Sequence, residues 1–308
     1  MQVGQKLQAA REQLSLSLKQ VEEKAGIGAS SLSEFENDVR QPSLSQLTTL
    51  ANFYRKPLGF FLDTNYAERR ELVLWRNKPA SPYREEKEAE FRQLCQQYHN
   101  LEVWTNNRAV SSLKNLLVNE PVGSYQEVSK LAKDVSNSMG LGDYPGSVLH
   151  RILEEVFDVK IFHLDLGSDG TSSACFYDEV YGPAILLNRG HRKWRRNFDL
   201  AHELYHLLVW KVRKHDVDDC KKADDEEKYA SAFASCILMP KERVIEAIEL
   251  AKDEKGMISF EKLDDIARSF DVSLDAFLWR LKILFNMKEA EIKEMLGKAE
   301  LYKQFRED

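Results

Sequence analysis

The chain has 308 residues, enough for two domains with their own cores, and 43% of them are hydrophobic. Its net charge of −6 excludes a protein that coats nucleic acid or membrane surfaces through bulk positive charge. No apolar run reaches the length of a membrane span and no leader-like segment opens the chain, so a soluble cytoplasmic protein without membrane contact is expected; Cys95, Cys175, Cys220 and Cys236 form no C-x-x-C pair and suit a reducing compartment.

Residues 1–65 read as a compact bundle of five short helices. Leu7, Ala10, Leu14, Leu18, Val21 and Ala25 recur at helical spacing, Ser17 is a candidate N-cap, and Gly26-Ile27-Gly28 breaks the helix. A helix from Ala29 to Asn37 turns Leu32 and Phe35 inward, and Pro42-Ser43 opens another carrying Leu44, Leu47, Leu50 and Ala51. Helix, short glycine-containing turn and second helix make a helix-turn-helix. The stretches Val21-Glu22-Glu23-Lys24-Ala25-Gly26-Ile27, Leu32-Ser33-Glu34-Phe35-Glu36-Asn37 and Arg40-Gln41-Pro42-Ser43-Leu44 resemble the XRE, or lambda-repressor-like, family. The resemblance implies that helix 29–37 enters the major groove of a DNA operator, with Ala29, Ser30, Ser31 and Ser33 facing bases and Lys19 and Arg40 facing phosphates. Two features weigh against strong binding. The recognition helix has no arginine and carries Glu34, and seven basic residues against six acidic ones over residues 1–62 leave a net charge of only +1. A module that docks onto another helix-turn-helix protein is the competing reading.

Residues 66–123 read as a charged, mostly helical linker. Leu72 to Arg76 fits a short strand or a helix edge, Lys78-Pro79-Ala80-Ser81-Pro82 is a break, and residues 84–118 form one long helix or two. Phe91, Leu94, Tyr98, Leu101, Val103 and Trp104 make its apolar side, which suits a spacer or a homodimerisation element.

Residues 124–308 read as the second domain. Ser124 caps a helix to Met139, and another helix covers 146–157. Val159–Leu164, Ala174–Tyr177 and Ala184–Asn188 read as strands of a small antiparallel sheet, one edge of which can hold an extended peptide. The fold class is therefore mainly α with a small antiparallel sheet (α+β).

The most specific motif follows: His202-Glu203-Leu204-Tyr205-His206, an H-E-x-x-H within an apolar helical run. Histidines four apart share one helix face and reach one ion, zinc by preference, while the intervening glutamate sits where it can take a proton from an attacking water. A third ligand is required. On the next helix, Glu227 shares a face with Ala230, Ser231 and Ala234 and ranks first; Glu226, about 100° away, ranks second. Asp224 and Asp225 read as a solvated helix start. His191, Arg192, Arg195 and Arg196 stand ready to polarise a carbonyl or hold a substrate carboxylate, or form a solvated basic loop; Tyr205 and Tyr229 are weaker oxyanion candidates. Residues 211–226 read as a mobile polar loop, and three amphipathic helices follow Pro240, with Trp279 in the core.

The stretch Arg195 to Leu208 and the later Glu227-x-x-Ala230-x-x-Phe233-Ala234-x-x-x-Leu238-Met239-Pro240 resemble the ImmA/IrrE metallopeptidase family over roughly residues 125–285, including Ala184 to Asn188 ahead of the motif helix. The resemblance implies a minimal zincin-like domain in which His202, His206 and Glu227 hold zinc and Glu203 is the general base. It also implies a helix-turn-helix repressor as the protein substrate, whose cleavage derepresses stress or mobile-element genes. Two departures are Tyr205, where many members have glycine, and Ser231, where many have asparagine and a hydrogen bond that orients a ligand is at stake. The rival readings are a non-catalytic transcription regulator and an antitoxin-type binding protein.

Overall fold

The computed structural model describes residues 2–14, 16–54, 56, 58–62, 73–76, 83–106, 111–167, 171–178, 180–212 and 220–306. They fall into two compact units, Met1–Val73 with Asn77–Ala109 and Leu74–Arg76 with Val110–Asp308. The break expected at Lys78–Pro82 and residues 213–219 of the loop expected at 211–226 lie outside the described residues, whereas residues 220–226 of that expected loop are helical, the first turns of the helix that carries Glu227. Among those residues no helix is long and apolar enough to cross a membrane.

The first unit holds α1 (Val3–Gln13), α2 (Leu18–Ala25), α3 (Ala29–Glu36), α4 (Leu44–Phe53), α5 (Leu58–Leu62) and the long α6 (Tyr83–Trp104). Short helices need their ends satisfied, and the sequence supplies the groups. Ser17 and Ser43 accept the amides of Gln20 and Gln46, whose side chains bond back to complete capping boxes. Gly26 ends α2 at a φ of 70°. Leu7, Val21, Leu32, Phe35, Leu47, Leu50 and Phe61 form the core. Arg11 grips Glu36 with two hydrogen bonds of 2.7 and 2.8 Å, which ties α1 to the recognition helix.

The α1–α3 approach depends on a missing side chain. A Cβ on Gly4 would stand 2.4 Å from the Phe35 carbonyl and 2.7 Å from that of Glu36. Gly4→Ala is expected to destabilise this unit by about 1–3 kcal/mol, visible as a lower Tm in calorimetry. An unchanged Tm would mean that the two helices separate freely.

The apolar side expected for α6 divides. Phe91 and Cys95 are buried, whereas Tyr98, Leu101, Val103 and Trp104 are exposed.

The second unit begins with β1 (Leu74–Arg76) and continues through 3₁₀ turns at Ser112–Asn115 and Pro145–Ser147, α7 (Tyr125–Met139), α8 (Leu149–Glu155), β2 (Lys160–Leu164), β3 (Ser173–Asp178) and β4 (Gly182–Asn188). Then come α9 (Lys193–Leu208), α10 (Cys220–Leu238), α11 (Lys241–Ala251), α12 (Phe260–Ser269), α13 (Leu274–Phe285) and α14 (Glu289–Arg306). Ser124 caps α7 as expected. Four helices, not three, follow Pro240; α14 was missed because its few apolar residues, of which Ile292 and Ala299 are buried, make no clear stripe. Trp279, expected in the core, is 39% exposed with Lys282 over its ring.

The sheet is mixed rather than antiparallel, in the order β1-β3-β4-β2. β3 and β4 form a hairpin closed by Asp178, whose carboxylate accepts the amides of Val180 and Tyr181. β2 lies on the far side of β4 and runs parallel to it, an arrangement that the expected succession of hairpins did not include. β1 adds the fourth strand, antiparallel to β3, with Arg76 opposite Ser173. Central β4 is buried from Pro183 to Asn188, the continuous apolar run of a strand covered on both faces. α9 lies against the sheet, α10 packs on α9, and Leu200, Leu204, Leu207, Phe233, Ala234 and Ile237 fill the core. Ala230 and Ala234 let α10 come close to α9.

Candidate active site

One face of α9 carries His202 and His206, and α10 brings Glu227 to it. Glu227 Oε2 is 3.1 Å from His202 Nε2, Oε1 is 3.2 Å from His206 Nε2, and the two Nε2 atoms are 3.3 Å apart. The donor atoms of these three residues all lie within 4.8 Å of one another. Three tetrahedral ligands at zinc distances require donor atoms about 3.3 Å apart, so the spacing and the donor set both fit a zinc-type cation. Both imidazoles are buried and Glu227 is partly exposed.

Each imidazole is held from behind. Ser231 Oγ sits 3.4 Å from His202 Nδ1, and Glu226 Oε1 sits 3.1 Å from His206 Nδ1. The serine thus stands at the orienting position that the departure from asparagine had put in question. The two glutamates are separated by geometry: Glu227 faces both Nε2 atoms, and Glu226 lies behind His206.

The electrostatics describe a cation cradle. Burial pushes the His202 imidazole down to about 3. Burial also opposes charge on His206, but the hydrogen bonds that Glu226 and Glu227 accept from it outweigh this and lift that imidazole to about 9. Burial likewise opposes charge on Glu227, yet its contacts with both histidines hold it well below the carboxylate range. Two imidazoles at this distance do not both charge, so at most one of them carries a proton beside the Glu227 carboxylate.

Glu203 is completely buried beside them. Ser173 Oγ on β3 donates to its Oε1 at 2.6 Å, while Oε2 has no hydrogen-bond partner among the described residues. Burial raises this carboxyl, and hydrogen bonds from Ser173 and Cys175 pull partly against that rise. An orphaned buried carboxylate oxygen is costly and signals a function that uses it.

Sequence reading missed Asp199, Arg76 and Ser173. Asp199, fully buried on α9, receives Arg76 at 2.5 Å, His191 at 3.3 Å and Arg195 at 3.5 Å. A charged residue inside an apolar helix was the available signal for Asp199; nothing local marks Arg76 or Ser173. His191 and Arg195 are therefore partners of a buried acid and not a solvated loop. Arg196 donates to the Arg189 carbonyl. Tyr205 packs its ring against His206 and Phe233 in the core, and Tyr229 donates its hydroxyl to the Gly123 carbonyl.

In the helix-turn-helix, Lys19 and Ser30 are exposed, and Ala29, Ser31 and Ser33 are partly buried. Arg40 folds back over the recognition helix. Its Nε lies 3.2 Å from Glu34, it donates to Ser31 Oγ at 2.9 Å, and it covers the Phe35 ring. The expected phosphate contact is thus already paired with the acid that repels phosphate.

Comparison with known proteins agrees with this division. Residues 154–282 match the IrrE N-terminal-like domain of the M78 peptidases, and residues 7–61 match the helix-turn-helix family. No curated protein matches the chain. Among solved structures, a Mycobacterium tuberculosis transcriptional regulator is 16% identical with a TM-score of 0.38, over 51% of this chain and 46% of that one. This chain therefore spans less than half the length of that protein. Bacillus thuringiensis PlcR, in complex with the peptide PapR7 and DNA, is 15% identical with a TM-score of 0.20, over 99% and 95% of the two chains. The chain thus pairs an XRE-type helix-turn-helix domain at residues 7–61 with an IrrE-like, metallopeptidase-type domain at residues 154–282, the two parts in which its sequence resembles ImmA/IrrE proteins.

Proposed function

We propose that this protein is a cytoplasmic zinc-dependent endopeptidase whose substrate is a helix-turn-helix repressor. The observation that carries the reading is the convergence of His202, His206 and Glu227 beside the orphaned Oε2 of buried Glu203. Zinc bound by the three residues would polarise the scissile carbonyl and acidify the attacking water. The chain's own residues do the rest. Glu203 takes the proton from that water at Oε2, while Ser173 holds Oε1 and so fixes the direction of the free oxygen. Glu226 and Ser231 hold the imidazoles in the orientation that ligation needs. The apolar packing around α9 keeps bulk water away, which strengthens each of these interactions. Glu203 then returns its proton to the leaving amine.

The test is direct. Zinc-loaded protein incubated with a repressor encoded beside its gene should yield two fragments by mass spectrometry, and a chelator should stop the cleavage. An intact repressor after incubation with zinc-loaded protein would sink the reading.

The amino-terminal domain supports a regulatory setting, in which it directs the peptidase to an operator or to a repressor bound there. DNA binding is expected to be weak, with a shallow salt dependence, because Glu34 neutralises Arg40. Glu34→Gln should tighten binding of an operator fragment and steepen the salt slope by about 0.9, one phosphate contact. Fluorescence anisotropy at several salt concentrations measures both. An unchanged slope would show that Arg40 never reaches the backbone.

A further inference from the structure

A cavity of about 130 Å³ lies in the metallopeptidase-type domain, walled by Arg76, Trp194, Arg195, Phe198, Ser273 and Ala276. Its lining residues include two arginines and no acidic residue. Asp199 lies behind them and divides a single negative charge among Arg76, Arg195 and His191. Arg195 also donates to Ser172 at 2.9 Å, and its Nε faces Asp199 at 3.5 Å without hydrogen-bond geometry among the described residues. A third positive contribution comes from α13. Ser273 is its N-cap, accepting the Ala276 amide at 3.1 Å, so the cavity opens on the positive end of a twelve-residue helix. Phe198 and Trp194 supply apolar walls, with Arg76 stacked on the Phe198 ring.

The cavity adjoins the catalytic-type cluster along two elements. Arg76 is paired with Ser173 across the sheet, and Ser173 is the residue bonded to Glu203. Arg195, Asp199 and Glu203 follow one another at one-turn spacing along α9. Eight residues of helix span about 12 Å, and an extended peptide advances about 3.3 Å per residue.

We propose that this cavity is a carboxylate-binding subsite that selects peptides with an acidic group two to four residues from the bond to be cut. Placing the carboxylate on a substrate rests on the peptidase reading; the binding of a carboxylate does not. The ligand is either an aspartate or glutamate side chain or a free chain end, which share this chemistry. One carboxylate accepts from both guanidiniums, and it is short enough for a cavity that excludes larger anions such as nucleotides.

The experiment is a titration of the full-length protein, followed through the Trp194 indole signal in ¹⁵N NMR and assigned with Trp194→Phe. Three blocked tetrapeptides serve as probes: one with an internal glutamate, its glutamine counterpart, and an alanine peptide with a free carboxyl end. Saturable movement of the signal by the glutamate peptide, the free-ended peptide or both is expected, and the peptide that acts identifies the source. The glutamine peptide should leave the signal in place. Arg195→Gln should weaken carboxylate binding about tenfold or more, the loss of one charge-assisted hydrogen bond. Ala276→Glu provides a variant that keeps the fold. It completes a Ser-x-x-Glu capping box with Ser273, so Tm should hold or rise while its own carboxylate fills the cavity and carboxylate peptides no longer bind. Equal binding of the glutamine peptide, undiminished binding by Ala276→Glu, or no response to either carboxylate at millimolar peptide would overturn the subsite. Because the readout is binding, an inactive peptidase would leave the result interpretable.

Discussion

Glu203→Gln is expected to leave the zinc content and the fold of this protein intact while lowering cleavage by about a hundred- to ten-thousand-fold, the usual contribution of a general base. Glutamine has nearly the same shape, and its amide oxygen can still accept the Ser173 hydroxyl that now binds Oε1 at 2.6 Å. What it lacks is the ability to take a proton at the other position, where Oε2 has no partner among the described residues. Removing a buried carboxyl that burial already disfavours should also leave Tm equal or higher. Cleavage of the repressor, metal content and Tm are measured on the same preparations. Wild-type rates in the variant would move the protein from the enzymes to regulators that use a peptidase fold as a sensor.

The two neighbouring glutamates are expected to separate cleanly in metal binding. Glu227→Ala removes one of three ligands, and zinc affinity should fall by more than about a hundredfold, the upper end of what losing an orienting partner costs. Glu226→Ala removes only the group behind His206 Nδ1 at 3.1 Å, so the loss should be about ten- to a hundredfold. Competition against a chromogenic chelator ranks the variants directly. If Glu226→Ala proved the more damaging, Glu226 would be the ligand and Glu227 the orienting group.

These two expectations also mark how far the sequence reaches. Residues that lie within one helix or one turn were legible without any structure. Ser17, Ser43 and Ser124 cap helices, Gly26 ends one, and His202 and His206 share a face, because capping and the 3.6-residue period are local rules. The positions of Glu227 and Ser231 on the face of α10 turned toward α9 follow from the same period. The rest required contacts between residues distant in the chain. Arg76 reaches the site only because residues 74–76 pair with residues 173–175, and no local pattern encodes that ladder. β2 lies parallel to β4 for the same reason, α9 packing on β3 brings Ser173 to Glu203, and Asp199 gathers Arg76, His191 and Arg195 where sequence left a basic loop as one reading. Arg40 pairs with Glu34 in the same helix-turn-helix, a contact that spacing did not show, since spacing states which side chains can meet and not which partner each one takes. Local periodicity by itself therefore determined most of the helices and the shared face of His202 and His206, whereas contacts between residues distant in the chain, which depend on closing long loops, decided what surrounds Glu203.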